Sequence, residues 1–217
     1  MPVSAPNPGA DVVRIHKVIT RGLAISIEYG QGDGPEQAQR DGYQRYVKAL
    51  SGLVHGHHQG EDLIAFPFWN SKLPEGPFER LASEHRDMLP LLARIDAWLA
   101  SGEAAWKGPA LVGLQSALGA LDQLWHPHIS VEEATLGPEN SAHLLSAEEN
   151  TQLAAELAAH GQAHSQPAEL VMAFIFYNLT SEDREAMMAV LPPVVSQELV
   201  PVVWRPAWEP MRPFLLP

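Results

Sequence analysis

Apolar residues along this chain recur at steps of three and four, and strand-like alternation is scarce. The pattern therefore predicts an almost entirely helical, all-α protein. Four long segments fill the first two thirds. The first covers about residues 10–30 and ends in the breaker stretch GQGDGP. The second runs from about 36 to 69 and stops at the turn around Trp69-Asn70-Ser71. The third starts near Pro74–Pro77 and stops at Ser101-Gly102. The fourth begins near Pro109 and ends at Gly137-Pro138, a glycine-then-proline stop. Beyond residue 140 the texture changes. Ser146 and Glu149 have the spacing of a capping box opening a fifth helix, Pro167 and Ser181 open two more, and Pro192-Pro193 closes the last of these. The tail after Leu199 carries Pro201, Pro206, Pro210 and Pro213 with Trp204 and Trp208, and is expected to lie over the other helices as a kinked cover.

The apolar stripe of each long segment is interrupted at positions that should be core. In the first segment the stripe is Val12, His16, Ile19, Leu23. In the second it is Val47, Leu50, Val54, His57, Glu61, Ile64, Phe68. In the third it is Phe78, Leu81, His85, Met88, Leu92, Ile95, Leu99. In the fourth it is Leu111, Leu114, Leu118, Leu121, Trp125, His128, Glu132, Thr135. Each follows the alternating step that keeps residues on one helix face. In an antiparallel arrangement, two residues share a level when they are equidistant from the turn between them. The midpoint of His57 and His85 is residue 71, inside WNSKLP; that of His85 and His128 falls inside SGEAAWKGP. The midpoint of His16 and His57 lies a few residues past GQGDGP, a looser match that a longer connection absorbs.

Four imidazoles with two carboxylates one turn further on thus converge on one layer. Each unpaired buried polar group costs about 1–3 kcal/mol, and an ionised carboxylate far more. Left uncompensated, such a layer would exceed a typical domain stability of about 5–15 kcal/mol. Metal cations supply the compensation. The pairs His57–Glu61 and His128–Glu132 place imidazole and carboxylate on one face, and two carboxylates from different helices suit the bridging of two metals.

Composition sharpens this. The 217 residues include ten histidines and no cysteine, which removes thiolate zinc and iron–sulfur sites, disulfides and thiol catalysis. Nitrogen and oxygen donors alone fit iron or manganese, and a carboxylate-bridged pair favours iron. Acidic residues outnumber basic ones 26 to 14, a formal charge of -12, so neither nucleic acid nor an anionic membrane is expected as a partner. The N-terminus MPVSAPNPGA lacks the marks of a secretory signal and no apolar run approaches the roughly 18 residues of a membrane span, so the expected location is cytoplasmic. His55, His126 and His143 fall off the stripes and read as rim or surface residues. His58, Asp62 and Glu133 adjoin ligand positions but are turned about 100° away, suiting an outer or entrance role as well as ligation. His160 and His164 form a surface or cover pair with Gly161 between them.

His16 in IHKVI, HHQGEDLIAFP (57–67), SEH (83–85) and HPHISVEE (126–133) together resemble the hemerythrin-like proteins, the HHE cation-binding domain, over about residues 10–138. The resemblance implies an antiparallel up-down four-helix bundle, with residues 139–217 as a C-terminal helical extension packed on it. It implies a non-haem pair of iron ions joined by an oxo or hydroxo bridge. His16, His57, His85 and His128 would be terminal ligands, with Glu61 and Glu132 bridging. Two departures from the oxygen carriers stand out. Where the carriers have a second histidine four residues on, His85 is followed by Leu89, so water, Glu84, His58 or Asp62 would complete the shell. The fourth helix has His-x3-Glu where the carriers have His-x4-Asp.

The function this points to is binding or sensing of O2 or another small ligand, nitric oxide or peroxide. The alternatives are a catalase- or peroxidase-like enzyme on the same site, or a regulatory helical module merely stapled by metal. A homodimer or an unidentified protein docked on the extension would be the macromolecular partner. A ferritin-like oxidase is disfavoured, because its helices carry glutamate before histidine rather than after.

Overall fold

The computed structural model describes residues 6–217, except the side chain of Glu103, and contains helices and no strand among them. Helix α1 (Pro8–Gly30) opens at Asn7, whose Oδ1 accepts the Ala10 amide at 2.9 Å, with proline in the first turn where no amide is missed. Helix α2 (Arg40–Gly60) continues without a break through a π-helical stretch, Glu61–Ala65, into α3 (Phe66–Asn70). Helices α4 (Phe78–Leu99) and α5 (Gly108–Leu136) complete the long set, within a few residues of the four predicted segments. Helix α1 packs on α2 and α5, and α4 packs on α5 and α2, so the four close a ring around a common core.

The π-helical stretch corrects the predicted stripe. Ile64 and Phe68 were expected inside, yet both are only half-buried, while Ala65, Phe66 and Trp69 are buried. A π turn holds one more residue than an α turn, so positions beyond it slip round the helix by one place. Near the ends of two other helices the buried position also differs by one place, with Trp98 and Leu136 buried where Leu99 and Thr135 were expected.

Gly137-Pro138 ends α5, but it also starts a short helix the periodicity did not predict, α6 (Pro138–Leu144). The capping box is formed: Glu149 donates its amide to Ser146 Oγ (3.2 Å) and accepts from the Ser146 amide (2.8 Å), opening α7 (Ala147–His164). Helix α8 (Ala168–Asn178) and α9 (Ser181–Val190), capped by Thr180, follow. A second π-helical stretch, Val195–Val203, leads to α10 (Arg205–Trp208) and a 3-10 turn, Glu209–Phe214.

This C-terminal third lies against α2, whose glycines admit it. A Cβ at Gly42 would collide with the Pro210 carbonyl, one at Gly52 with the Gln166 carbonyl, and one at Gly56 with Ser165. One apolar core runs from α1 and α2 into Phe174, Val171 and Phe214. Among the described residues no single helix is long and apolar enough to cross a membrane, although the pair Ser181–Val190 and Val195–Val203, bent by 114°, reaches that composition jointly.

Candidate metal centre

All six predicted positions meet in one layer of the ring. His16 comes from α1, His57 and Glu61 from α2 and its π-helical continuation, His85 from α4, and His128 and Glu132 from α5. All are buried except His57, whose side chain is 8% exposed. Their Nε2 atoms converge on the two carboxylates: His57 lies 3.1 Å and His85 3.6 Å from Glu61, and His128 lies 3.2 Å and His16 3.5 Å from Glu132. His85 and His128 face each other Nε2 to Nε2 at 3.0 Å.

The structure adds His58, which the helical stripe had set to one side. It is buried, stacks on the His85 ring at 4.0 Å and 14°, and joins His85 and His128 in one group of candidate donors. His16, His57, Glu61 and Glu132 form the second group; within each, the donor atoms lie within 4.8 Å of one another. Two successive residues sit about 100° apart on a helix, so both can face the interior only where the core wraps widely round it. Trp125 provides that wall, with its ring centroid 6.0 Å from His58 and 5.4 Å from His16.

Asp62, Glu84 and Glu133 lie behind the cluster. Asp62 accepts from His85 Nδ1 (2.9 Å), Glu84 from His128 Nδ1 (3.0 Å) and Glu133 from His16 Nδ1 (2.9 Å), with donor and tautomer chosen by the acceptors that carboxylates are. The surplus histidines keep away. His143 and His126 are exposed, His55 pairs with Asp96 at 3.0 Å on the outside of α2, and His160 stacks on His164 where α7 crosses Gly60.

The electrostatics of the layer follow from packing carboxylates and imidazoles together out of water. Burial pushes Glu61 well above the ordinary carboxyl range, and the neighbouring Glu132 adds to the shift. Burial also opposes ionisation of Glu132, but the charge of His16 and the close approach of the His128 and His16 rings outweigh it and hold the carboxyl well below its usual value. Burial and the surrounding imidazoles keep His57 and His58 neutral, with lone pairs available. Eight of the twelve buried side-chain polar atoms without a hydrogen-bond partner among the described residues belong to this layer: both oxygens of Glu61 and Glu132, both nitrogens of His58, and Nε2 of His16 and His57. Natural interiors leave few such atoms, and here they face one another. Nitrogen and oxygen donors in this number fit cations of the iron or manganese type.

The family model of the hemerythrin HHE cation-binding domain matches residues 7–140. The chain belongs to this family. No curated protein and no solved structure gives a significant match. Set against the resemblance, this hemerythrin-like chain has its own donor arrangement. Leu89, where the carriers have a further histidine, is 48% exposed on the outer face of α4. The additional imidazole in this chain comes from α2 as His58. At the His-x4-acid position of α5, Glu133 turns away to His16, and Glu132 takes the inward place.

Proposed function

We propose that this hemerythrin-like protein holds two iron ions in an antiparallel four-helix bundle and uses them to bind or sense O2 or another small ligand such as nitric oxide or peroxide. The observation that carries the reading is the set of inward donors from five histidines and two glutamates, among which His16, His57, His58, Glu61 and Glu132 hold atoms without a hydrogen-bond partner. His58, His85 and His128 would hold one ion and His16 and His57 the other, with Glu61 and Glu132 shared between them. A carboxylate-bridged iron pair supplies redox-active metal with room for a diatomic ligand.

The chain's own residues do the rest. Trp125, whose indole N–H is tied to Thr20 Oγ1 at 2.9 Å, and Phe66, stacked on His85 at 5.4 Å, wall the layer with apolar surface and keep bulk water from the donors.

Metal analysis with an optical spectrum tests the proposal. The purified protein should carry about two irons per chain, as its two groups of donors require, with charge-transfer bands of a bridged pair. A colourless protein holding one zinc would sink it. Exposing the reduced protein to O2 then separates reversible binding from turnover.

A further inference from the structure

Three acids outside the donor layer are placed by a rule visible in the sequence. In His57-x3-Glu61-Asp62 and His128-x3-Glu132-Glu133, the first acid of each pair turns into the layer. The second, one residue on and about 100° round the helix, reaches the outward nitrogen of a histidine on a different helix. Asp62 thus takes His85 of α4, and Glu133 takes His16 of α1. Glu84, immediately before His85, completes the set on His128 of α5; its other oxygen accepts from Arg80 Nε at 2.7 Å. Among the described residues no carboxylate stands behind His57 or His58.

We infer that Asp62, Glu84 and Glu133 are positioning residues of the metal centre, acting through His85, His128 and His16. This rests on the iron-pair reading above. Each hydrogen bond commits the ring proton to Nδ1 and leaves the Nε2 lone pair aimed at the shared carboxylates; the negative charge behind the ring makes that nitrogen a stronger donor. Three such anions also favour the more highly charged state of a metal pair. They are unevenly distributed, two behind the His58–His85–His128 group and one behind the other, so the two metal positions differ. A reading of these acids as ordinary surface ion pairs accounts for their partial exposure, 36% for Asp62 and Glu133 and 27% for Glu84. It does not account for all three ending on the outward nitrogens of buried imidazoles on other helices.

The test uses the full chain loaded with iron and the variants Asp62→Asn, Glu84→Gln and Glu133→Gln. These keep an accepting carbonyl and remove only the charge. Glu185→Gln, exposed on α9, is the control. Iron release to an excess of a ferrous chelator should be about 10–100-fold faster in the three variants. The midpoint potential of the bound iron, from a spectroelectrochemical titration, should be higher than in the unaltered protein. A variant that shows the normal circular-dichroism spectrum yet retains no iron supports the inference equally. Release rates and potentials matching the control would overturn it while leaving the iron pair intact; an unaltered protein that holds no iron pair would overturn the underlying reading instead.

Discussion

His16 is lifted from an ordinary imidazole value to about 9: burial opposes its charge, but the Glu132 carboxylate beside it and a hydrogen bond to Glu133 more than compensate. A group whose value is raised on folding stabilises the fold at low pH. The His16 contribution to the metal-free protein is fully present below about 6.5 and is lost as pH rises through about 9. The melting temperature of the metal-free protein should therefore fall across that window, and His16→Gln should flatten the fall. A melting profile insensitive to His16→Gln would refute the assignment. Substitution within the layer should also separate ligands from bystanders. Glu132→Ala should remove at least one metal and destabilise the protein, because the imidazoles around it lose their shared anion. His143→Ala, exposed on α6, should leave iron content and melting unchanged; if it strips the metal, the donor assignment is wrong.

At the scale of elements, most helix limits were written locally. Asn7, Ser146 and Thr180 act as N-caps, and breaker stretches end α1, α4 and α5 near the expected residues. The π-helical stretch at Glu61–Ala65 had no such mark, since a one-residue insertion changes neither composition nor the local apolar step. Its effect is large: beyond Glu61, which α spacing already places in the layer, it rotates Ala65, Phe66 and Trp69 inward. Deleting the exposed Leu63 should cancel the extra residue, turn the stretch into plain α-helix and leave Ala65, Phe66 and Trp69 inward. Chemical denaturation should then show a loss well short of the roughly 3–5 kcal/mol that removal of a large core side chain costs. A loss of that full size would show that the stretch is not a one-residue insertion in the core register.

Over the whole molecule, the C-terminal third shares the core of the first two thirds. Tyr46 packs its ring on Phe174 at 4.8 Å and on Phe214 at 5.8 Å, and its hydroxyl donates to Asn178 at 2.8 Å. Arg21 of α1 donates to the Phe214 carbonyl at 2.9 Å and to the Tyr46 hydroxyl at 3.2 Å. Truncation after Asn140 would bare these rings and the glycine face of α2. The fragment should aggregate or melt well below the full chain, since apolar area returned to water costs about 25 cal/mol per Å2. A fragment with the full chain's melting temperature and iron content would show the extension to be an appendage.

The sequence alone determined the helical class, the four long segments and the six inward residues His16, His57, Glu61, His85, His128 and Glu132, because helical period and distance from a turn are properties of neighbouring residues. The part played by the glycines of α2 emerged only from the chain that passes over them. Tertiary structure decided which residue adjoining a ligand position faces inward. His58 enters the layer because Trp125 and His85 wrap that corner of α2, whereas Asp62 and Glu133 turn to imidazoles on other helices. A rotation of about 100° along one helix tells inner from outer only once the neighbouring helices have fixed where the core lies.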